Sequence, residues 1–310
     1  MKYVSLKKAG MQVSKIGLGT NAVGGHNNFP HLDEEQGKLM IAEALHQGIT
    51  FFDTADAYGF GRSEELVGEM LKKKRSEVVI ATKGGIEKRS DGTIRMNNEP
   101  GYLRSALEKS LQRLETDYVD LYYIHFPDPG IPLVEAVGEL TRLKQEGKIR
   151  AIGISNVNID QLKEANQHND IAVLQSPYHM FDRSAENDLL PYCIQNDISF
   201  IPYGPLAFGM LGGKYTKELK LHEKDWRKDI PLFQGEEFHS AMFKVEQLKQ
   251  LAAEKKTSLS NLALAWLLAQ NGIDTVIPGG KKPEQVSENS NACDIVLTDN
   301  ELNIIENILV

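Results

Sequence analysis

Short β-branched runs alternate with amphipathic helical stretches along nearly the whole chain, and this repeat limits the possible folds more than any other feature. Eight runs of strand length occur, at residues 16–19, 49–53, 78–82, 119–125, 149–155, 172–175, 199–203 and 275–278. Apolar strands joined by helices predict a parallel sheet covered on both faces, which is either an open doubly wound sheet or a closed barrel. Eight units favour a (β/α)8 TIM barrel.

Length agrees with a single barrel domain over residues 1–310, because an α/β barrel can use the whole chain and no linker interrupts it. Residues 3–13 alternate apolar and polar around Lys8-Ala9-Gly10, which predicts an N-terminal β-hairpin that could plug the barrel. Two polar, irregular stretches, 87–100 and 216–240, predict long loops at the C-terminal face, and the second resembles a lid.

Charge and composition exclude several functional classes. The net charge of −8 repels phosphate backbones, so nucleic acid is not an expected partner. No apolar stretch reaches the ~20 residues of a membrane helix, and the N-terminus has no apolar signal core. Cys193 and Cys293 stand apart from each other and from other metal ligands, which predicts two reduced structural thiols and no metal site. We expect a cytoplasmic protein with no membrane partner.

Polar or unusual residues end or directly follow the apolar runs. In chain order they are Thr20 and Asn21, Asp53, Lys83, His125, Ser155 and Asn156, Gln175, Tyr203, and Gly279. In a barrel these positions converge on the C-terminal face, where active sites of this fold are built.

Four residues near this face suggest acid catalysis. Asp53 and Lys83 would pair across adjacent strands, and Tyr58 lies in the loop after Asp53, close enough to fold over the mouth. A cation about 4 Å from the phenol contributes about 4 kcal/mol at an effective dielectric near 20, which would lower the pKa of Tyr58 by about three units. His125 would orient the same substrate oxygen and share in proton delivery. Two alternatives remain open. Asp53 and Lys83 could form a purely structural ion pair, and His125 could be a core histidine whose hydrogen bonds are made within the protein.

Such a set suits reduction of a carbonyl group by hydride transfer, for which the expected donor is a nicotinamide nucleotide. The usual nucleotide motifs fail, because Gly17-Leu18-Gly19 lacks a third glycine and Gly213-Lys214 is followed by Tyr215. Glycine-rich loops follow the seventh and eighth runs, where barrels often bind phosphate. Lys281 and Lys282, before a helix that starts near Pro283, suit a phosphate at a helix N-terminus. They could equally be solvated surface lysines.

Over essentially its full length the sequence resembles the aldo-keto reductase superfamily, and in particular its bacterial inositol-operon and general-stress branch. Three motifs carry the likeness: Phe52-Asp53-Thr54-Ala55-Asp56-Ala57-Tyr58-Gly59-Phe60-Gly61-Arg62-Ser63-Glu64, Ile80-Ala81-Thr82-Lys83, and Asp117-Tyr118-Val119-Asp120-Leu121-Tyr122-Tyr123-Ile124-His125. The resemblance implies a catalytic tetrad of Asp53, Tyr58, Lys83 and His125, with Tyr58 as general acid.

The resemblance also implies a bound NADPH/NADP+. Its implied contacts are Thr20, Asn21, Asp53, Ser155, Asn156, Gln175, Tyr203, Gly204, Pro205, Leu206, Lys214, Gly279, Lys281, Gln285, Glu288 and Asn289. Among them, Ser155, Asn156 and Gln175 would hold the carboxamide, and Tyr203 would stack on the nicotinamide ring. Gly204 replaces a serine common in the family, and Gln285 replaces an arginine, so Lys281 or Lys282 would bind the 2′-phosphate.

The leading expectation is an NADPH-dependent reductase of aldehydes or ketones that uses no metal. A redox sensor resembling channel β subunits is the alternative, and a metal-dependent barrel hydrolase is a third class with few ligands to support it. The candidate substrate-pocket walls are Asn21, Ala22, Val23, Phe60, Ile86, Phe126, Tyr178 and the loop 226–233. Such a mostly apolar pocket admits a small carbonyl substrate.

Overall fold

The strands form a parallel sheet that curls around a central axis. The computed structural model describes residues 1–29, 31–223 and 225–310. Within them the strands are β1 (Tyr3–Leu6), β2 (Met11–Ser14), β3 (Leu18–Gly19), β4 (Phe51–Asp53), β5 (Val79–Gly84), β6 (Ile86–Lys88), β7 (Ile94–Met96), β8 (Val119–Ile124), β9 (Ile149–Ser155), β10 (Ile171–Pro177) and β11 (Ser199–Tyr203). The sheet order is β3-β4-β5-β8-β9-β10-β11, so neighbours follow chain order.

An eighth segment closes this sheet into a barrel. Ile273 bridges to Phe200 and Val276 bridges to Ile16, both in parallel. Amide hydrogen bonds from Gly17 to the Val276 carbonyl (2.8 Å) and from Gly19 to the Pro278 carbonyl (3.1 Å) extend the contact. The segment predicted as the eighth strand, 275–278, therefore occupies its expected place, although it makes bridges and no continuous ladder. The predicted TIM-barrel architecture is confirmed.

Strict alternation along the strands separates two apolar cores. Phe51, Ala81 and Leu121 point into the barrel, whereas their neighbours Phe52 and Ile80 pack outward against the helices. This is the period of two that a strand buried on both faces requires. Any polar residue at the C-terminal end of a strand is therefore aimed either at the barrel mouth or at the helix layer, according to its parity.

The N-terminal hairpin closes the bottom of the barrel, as the sequence predicted. Strands β1 and β2 pair antiparallel, with Val4 opposite Val13 and Leu6 opposite Met11. Leu6 and Val13 are completely buried and join the apolar cluster of the barrel interior. The hairpin thus supplies the lowest layer of the inner core and keeps water out from that end.

Helices cover the outside of the sheet. They are α1 (Asn21–Gly24), α2 (Glu34–His46), α3 (Arg62–Leu71), α4 (Pro100–Arg113), α5 (Leu133–Gln145), α6 (Ile159–Ala165), α7 (Leu189–Gln195), α8 (Gly235–Glu254), α9 (Leu259–Ala269), α10 (Pro283–Ser290) and α11 (Asp299–Leu309). Side-chain caps begin several of them; Asp33, for example, accepts from two amides at the start of α2. Within the described ranges, none of these helices has the length and apolarity to cross a bilayer.

Both predicted long loops are shorter than expected. The stretch 87–100 contains most of the antiparallel hairpin β6–β7, with Glu87 opposite Arg95, and α4 begins at Pro100. The stretch 216–240 ends early because α8 starts at Gly235, while residues before it form short 3-10 turns. The Gly, Asn and charged residues of the first stretch concealed this hairpin.

Both cysteines are free and buried, which agrees with the prediction of structural thiols. Tyr178, by contrast, is no pocket wall. Its side chain is fully buried, and its ring packs against Phe200 at 6.0 Å and Trp266 at 5.7 Å between centroids. Tyr178 directly follows β10, and the chain turns its side chain into the outer core.

Candidate active site

Strand parity brings the predicted polar residues together at the barrel mouth. Each has the same parity as the inward-facing core residues of its own strand. They are Asp53 on β4, Lys83 on β5, His125 after β8, Ser155 on β9, Gln175 on β10 and Tyr203 on β11. All but Tyr203 are at least nine-tenths buried. The mouth is therefore a polar layer on top of an apolar interior.

A buried ion pair lies at the centre of this layer. The Lys83 ammonium donates to Asp53 Oδ1 at 2.5 Å and to the Thr54 carbonyl at 2.9 Å. Gln175 Nε2 donates to the other carboxylate oxygen of Asp53 at 2.8 Å. Burial by itself lowers the pKa of Lys83, but Asp53 and the nearby Tyr58 hydroxyl more than reverse this effect, so the pKa lies above its ordinary value. Lys83 is therefore a fixed positive charge.

Tyr58 reaches the ion pair from a tight 3-10 turn, Tyr58–Gly61, after β4. Gly59 has a φ of +62°, and a Cβ there would lie 2.0 Å from the Gly24 carbonyl oxygen, so only glycine fits. The turn places the Tyr58 ring 5.2 Å from the Lys83 ammonium.

The expected lowering of the Tyr58 pKa is wrong. Burial raises the pKa of the hydroxyl, and the attraction of the phenolate to Lys83 offsets only part of that effect because Asp53 opposes it. The sequence estimate counted the cation and omitted both desolvation and the neighbouring carboxylate. Tyr58 therefore holds its proton through the neutral pH range, and Lys83 limits the cost of giving it up.

His125 faces Tyr58 across the mouth, with 6.0 Å between ring centroids in an edge-on arrangement. Its Nδ1 is buried and has no hydrogen-bond partner within the described part of the chain. Burial and the charge of Lys83 hold the pKa of His125 well below its ordinary value, so the ring is neutral at physiological pH. A neutral imidazole can offer one N–H to a substrate oxygen, and it is not a cationic acid.

The predicted carboxamide contacts form a second hydrogen-bonded group beside the pair. Asn156 donates from Nδ2 to the His125 carbonyl at 2.9 Å and to Ser155 Oγ at 3.0 Å. The Tyr203 hydroxyl donates to Asn156 Oδ1 at 2.8 Å, and burial raises the pKa of Tyr203 to about 12. Asn156 is thereby fixed in a left-handed conformation with φ +58°.

Thr20 and Asn21 support the mouth from the first strand. Thr20 is fully buried, and its hydroxyl donates to the Asp53 carbonyl at 2.9 Å, so its side chain fixes the β4 backbone. Asn21 opens α1, and its side-chain oxygen lies beside Gly279, 3.4 Å from where a Cβ would sit. The residues that follow the first and the last segment of the barrel wall thus meet at the position predicted for the dinucleotide.

The predicted adenosine-phosphate residues cluster around the start of α10. Gln285 Oε1 accepts from the Lys281 amide at 2.8 Å, and Asn289 Nδ2 donates to the Gly279 carbonyl at 3.4 Å. Glu288 Oε1 accepts from Ser260 Oγ at 3.3 Å. Helix α10 begins at Pro283 without a side-chain cap, next to the exposed Lys281 and Lys282. A helix N-terminus with two adjacent cations is a donor set that fits a phosphate group.

The predicted pyrophosphate segment follows β11 and begins with a left-handed glycine. Gly204 has φ +63°, and its carbonyl accepts from the Ala207 amide at 2.8 Å. Pro205 is buried, the Leu206 carbonyl accepts from Gly209 and Leu211, and Lys214 is exposed. Phe208 packs edge-on against Trp226, with 5.3 Å between ring centroids, which ties the segment to the following loop.

Sequence reasoning missed a buried charge cluster behind Lys83. Glu64 accepts from Thr82 Oγ1 at 2.5 Å and from Arg113 Nε at 2.7 Å. Burial and the charge of Glu64 raise the pKa of the neighbouring Asp56 well above its ordinary value. Both acids stand in the motif around Tyr58, so the motif contained the signal, but only the fold reveals that Glu64 is buried and lies near Asp56. Among the described residues, no group of three or more His, Cys, Asp or Glu side chains could hold a metal ion.

Comparisons with known proteins agree with this fold. The sequence model described as "Aldo/keto reductase family" matches residues 15–310. The aldo-keto reductase YhdN of Bacillus subtilis is 40% identical over 289 residues, which cover 92% of this chain and 87% of that protein. The NADH-specific methylglyoxal reductase of Escherichia coli is 38% identical and covers 96% and 95%. The structure of the glycerol dehydrogenase AKR11B4 from Gluconobacter oxydans superposes with a TM-score of 0.92 at 33% identity, covering 99% and 94%.

Proposed function

Because the chain belongs to the aldo/keto reductase family, we propose that it is an NADPH-dependent reductase that converts aldehydes or ketones to alcohols, with Tyr58 as general acid. The observation that carries the proposal is the contact of Tyr58 with a buried, paired Lys83 beside a neutral His125. When bound, the nicotinamide supplies a hydride to the carbonyl carbon.

The charges at the mouth indicate which group donates the proton. Tyr58 keeps its proton at neutral pH because burial raises its pKa, so a protonated acid is always present. As negative charge develops on the substrate oxygen, the hydroxyl donates its proton, and the ammonium of Lys83 stabilises the phenolate that remains. Asp53 holds Lys83 in place, and the N–H of neutral His125 orients the substrate oxygen.

The proposed dinucleotide contacts divide into two groups. Ser155, Asn156 and Gln175 present amide and hydroxyl groups for the carboxamide, beside Tyr203 for ring stacking. Farther away, Lys281 and Lys282 flank the start of α10 and would bind the 2′-phosphate of NADPH. Their charge favours NADPH over NADH, whereas the name of the Escherichia coli relative specifies NADH for that protein.

The test compares the purified chain with Tyr58→Phe, which removes one hydroxyl and keeps the ring. Fluorescence titration with NADPH and NADH measures binding, and NADPH absorbance measures turnover with methylglyoxal and nitrobenzaldehyde. We expect similar NADPH affinity in both proteins and a loss of kcat of about 10³-fold in the variant, the range in which a general acid acts. Turnover equal to that of the parent would reject the role of Tyr58. Tight binding without turnover on any carbonyl would favour the sensor alternative.

A further inference from the structure

The hairpin β6–β7 rises beside the mouth and presents two chemically different faces. Its register pairs Ile86 with Met96 and Lys88 with Ile94, while Glu87 pairs with Arg95 in between. Because side chains alternate along a strand, Ile86, Met96, Ile94 and Lys88 share one face, and the Glu87–Arg95 pair is on the other. One face is therefore an apolar strip that ends in a single cation.

A contact with Phe60 shows which way that strip faces. The Lys88 ammonium lies 4.1 Å from the centroid of the Phe60 ring. Phe60 belongs to the turn Tyr58–Gly61 and follows the proposed general acid by two residues. The strip therefore faces the rim that carries Tyr58. The base of the hairpin is anchored there too, since the Asn97 amide donates to the Gly85 carbonyl at 2.9 Å.

Phe60 itself is partly exposed at this rim and has an unusual backbone conformation. Its ring is 38% exposed although it is a large apolar side chain. Its backbone has φ +52°, a left-handed conformation that is unfavourable by roughly 1–2 kcal/mol for a residue other than glycine. Strained residues of this kind concentrate at ligand-binding positions.

Among the described residues, Lys88 has no acidic partner. Within the described ranges, Glu87 is engaged by Arg95 and Asn97, and Asp91 by Thr93, on their own sides of the hairpin. No carboxylate of these ranges lies within ion-pair distance of the Lys88 ammonium, which lies over the Phe60 ring. On a chain with a net charge of −8, this cation beside the mouth is available to an anion.

We propose that Lys88, with the apolar strip of Ile86, Ile94 and Met96, selects carbonyl substrates that carry a carboxylate separated from the aldehyde or ketone group by apolar carbons. The inference rests on the proposed reductase function and adds a substrate class to it. The carbonyl end would meet Tyr58, the apolar carbons would lie along the strip and Phe60, and the carboxylate would pair with Lys88. An aromatic ring beneath the ammonium keeps the cation in place without neutralising it.

A matched pair of substrates tests this class. One is 4-formylbenzoate, and the other is its methyl ester, which has nearly the same shape and no charge. The enzyme is assayed with saturating NADPH as the parent, as Lys88→Met, and as Arg89→Met. Arg89 is the control because it lies next to Lys88 on the same exposed hairpin and, among the described residues, makes no cation-π contact.

We expect the parent to have the lower KM for the acid. Lys88→Met should raise the KM for the acid about five-fold, the size of a partly exposed ion pair, with kcat and the ester nearly unchanged. Arg89→Met should leave both values as they were. Added salt should shrink the parent's preference for the acid and leave the Lys88→Met variant insensitive.

A charge reversal sharpens the result. Lys88→Glu should raise the KM for the acid further and lower the KM for a benzaldehyde that carries a trimethylammonium group. Equal changes for the acid and the ester in Lys88→Met would overturn the proposal and assign Lys88 a purely structural role. Reduction of the ester with no preference for the acid would also overturn it while leaving the reductase function intact. A parent that oxidises NADPH with neither substrate, nor with methylglyoxal, would instead count against the proposed function.

Discussion

The same barrel strands run between two ends that are filled in opposite ways. At the bottom, Leu6 and Val13 fill the interior with apolar atoms, and Ser14 hydrogen-bonds the Ile16 carbonyl at 2.6 Å. At the top, the same inward parity ends in Asp53 and Lys83. One end is closed by apolar side chains of the hairpin, and the other ends in a layer of polar side chains.

The difference shows where stability has been given up. A buried polar atom without a partner costs roughly 1–3 kcal/mol, and a buried ion pair gains little relative to apolar packing. The unpartnered Nδ1 of His125 and the Asp53–Lys83 pair both lie at the top. Substitutions at the bottom should therefore lower the stability of the protein and leave its activity unchanged. Substitutions at the top should lower activity first.

The largest expected effect comes from breaking the buried pair. Lys83→Met leaves Asp53 buried with Gln175 as its remaining side-chain partner, so we expect a loss of about 3 to 5 kcal/mol in the free energy of unfolding. We also expect kcat to fall by about three orders of magnitude, because nothing then stabilises the phenolate of Tyr58. Urea unfolding and steady-state NADPH oxidation measure the two effects.

A double variant separates these two consequences. Asp53→Asn together with Lys83→Met removes both charges, so most of the lost stability should return while kcat stays low. Recovery of kcat along with stability would show that the charge of Lys83 has no part in the chemistry. Such a result would contradict the assignment of activity to the charged pair at the top of the barrel.

The next largest effect is a loss of stability without a loss of activity, and we expect it at the bottom of the barrel. Leu6→Ala removes a fully buried side chain from the plug, and we expect a loss of about 2 to 5 kcal/mol in the free energy of unfolding. Because the plug lies at the opposite end from Tyr58, kcat and the KM for NADPH of the folded fraction should stay within two-fold of the parent. A ten-fold loss of kcat at a temperature where the variant is fully folded would contradict the separation of the two ends.

The smallest effect tests the outer edge of the top. Lys281→Ala with Lys282→Ala removes two exposed cations from the start of α10, and the KM for NADPH should rise about ten-fold. The KM for NADH should change much less, because NADH lacks the 2′-phosphate. Titration of both nucleotides into the variant measures the difference. Equal losses for the two nucleotides would mean that these lysines act only through general surface charge.

Several features of the fold and the site could be predicted because they depend on local pattern. The eight apolar runs predicted the barrel, and the position of Asp53, Lys83 and Gln175 at the ends of these runs predicted that they meet at its C-terminal face. The alternation of residues 3–13 likewise predicted the hairpin plug. The hairpin β6–β7 escaped prediction because its charged residues pair across the strands and hide the period of two.

The sequence by itself determined the repeat, the order of the strands and the identity of the residues at their ends, since each follows from the spacing of apolar side chains along the chain. Only the tertiary structure decided how those residues act on one another. Burial raises the pKa of Tyr58 against the pull of Lys83, and Gln175 turns to Asp53. Lys88 meets Phe60 across 28 positions of the chain. Desolvation and contact between distant segments exist only after folding, so no local pattern encodes them.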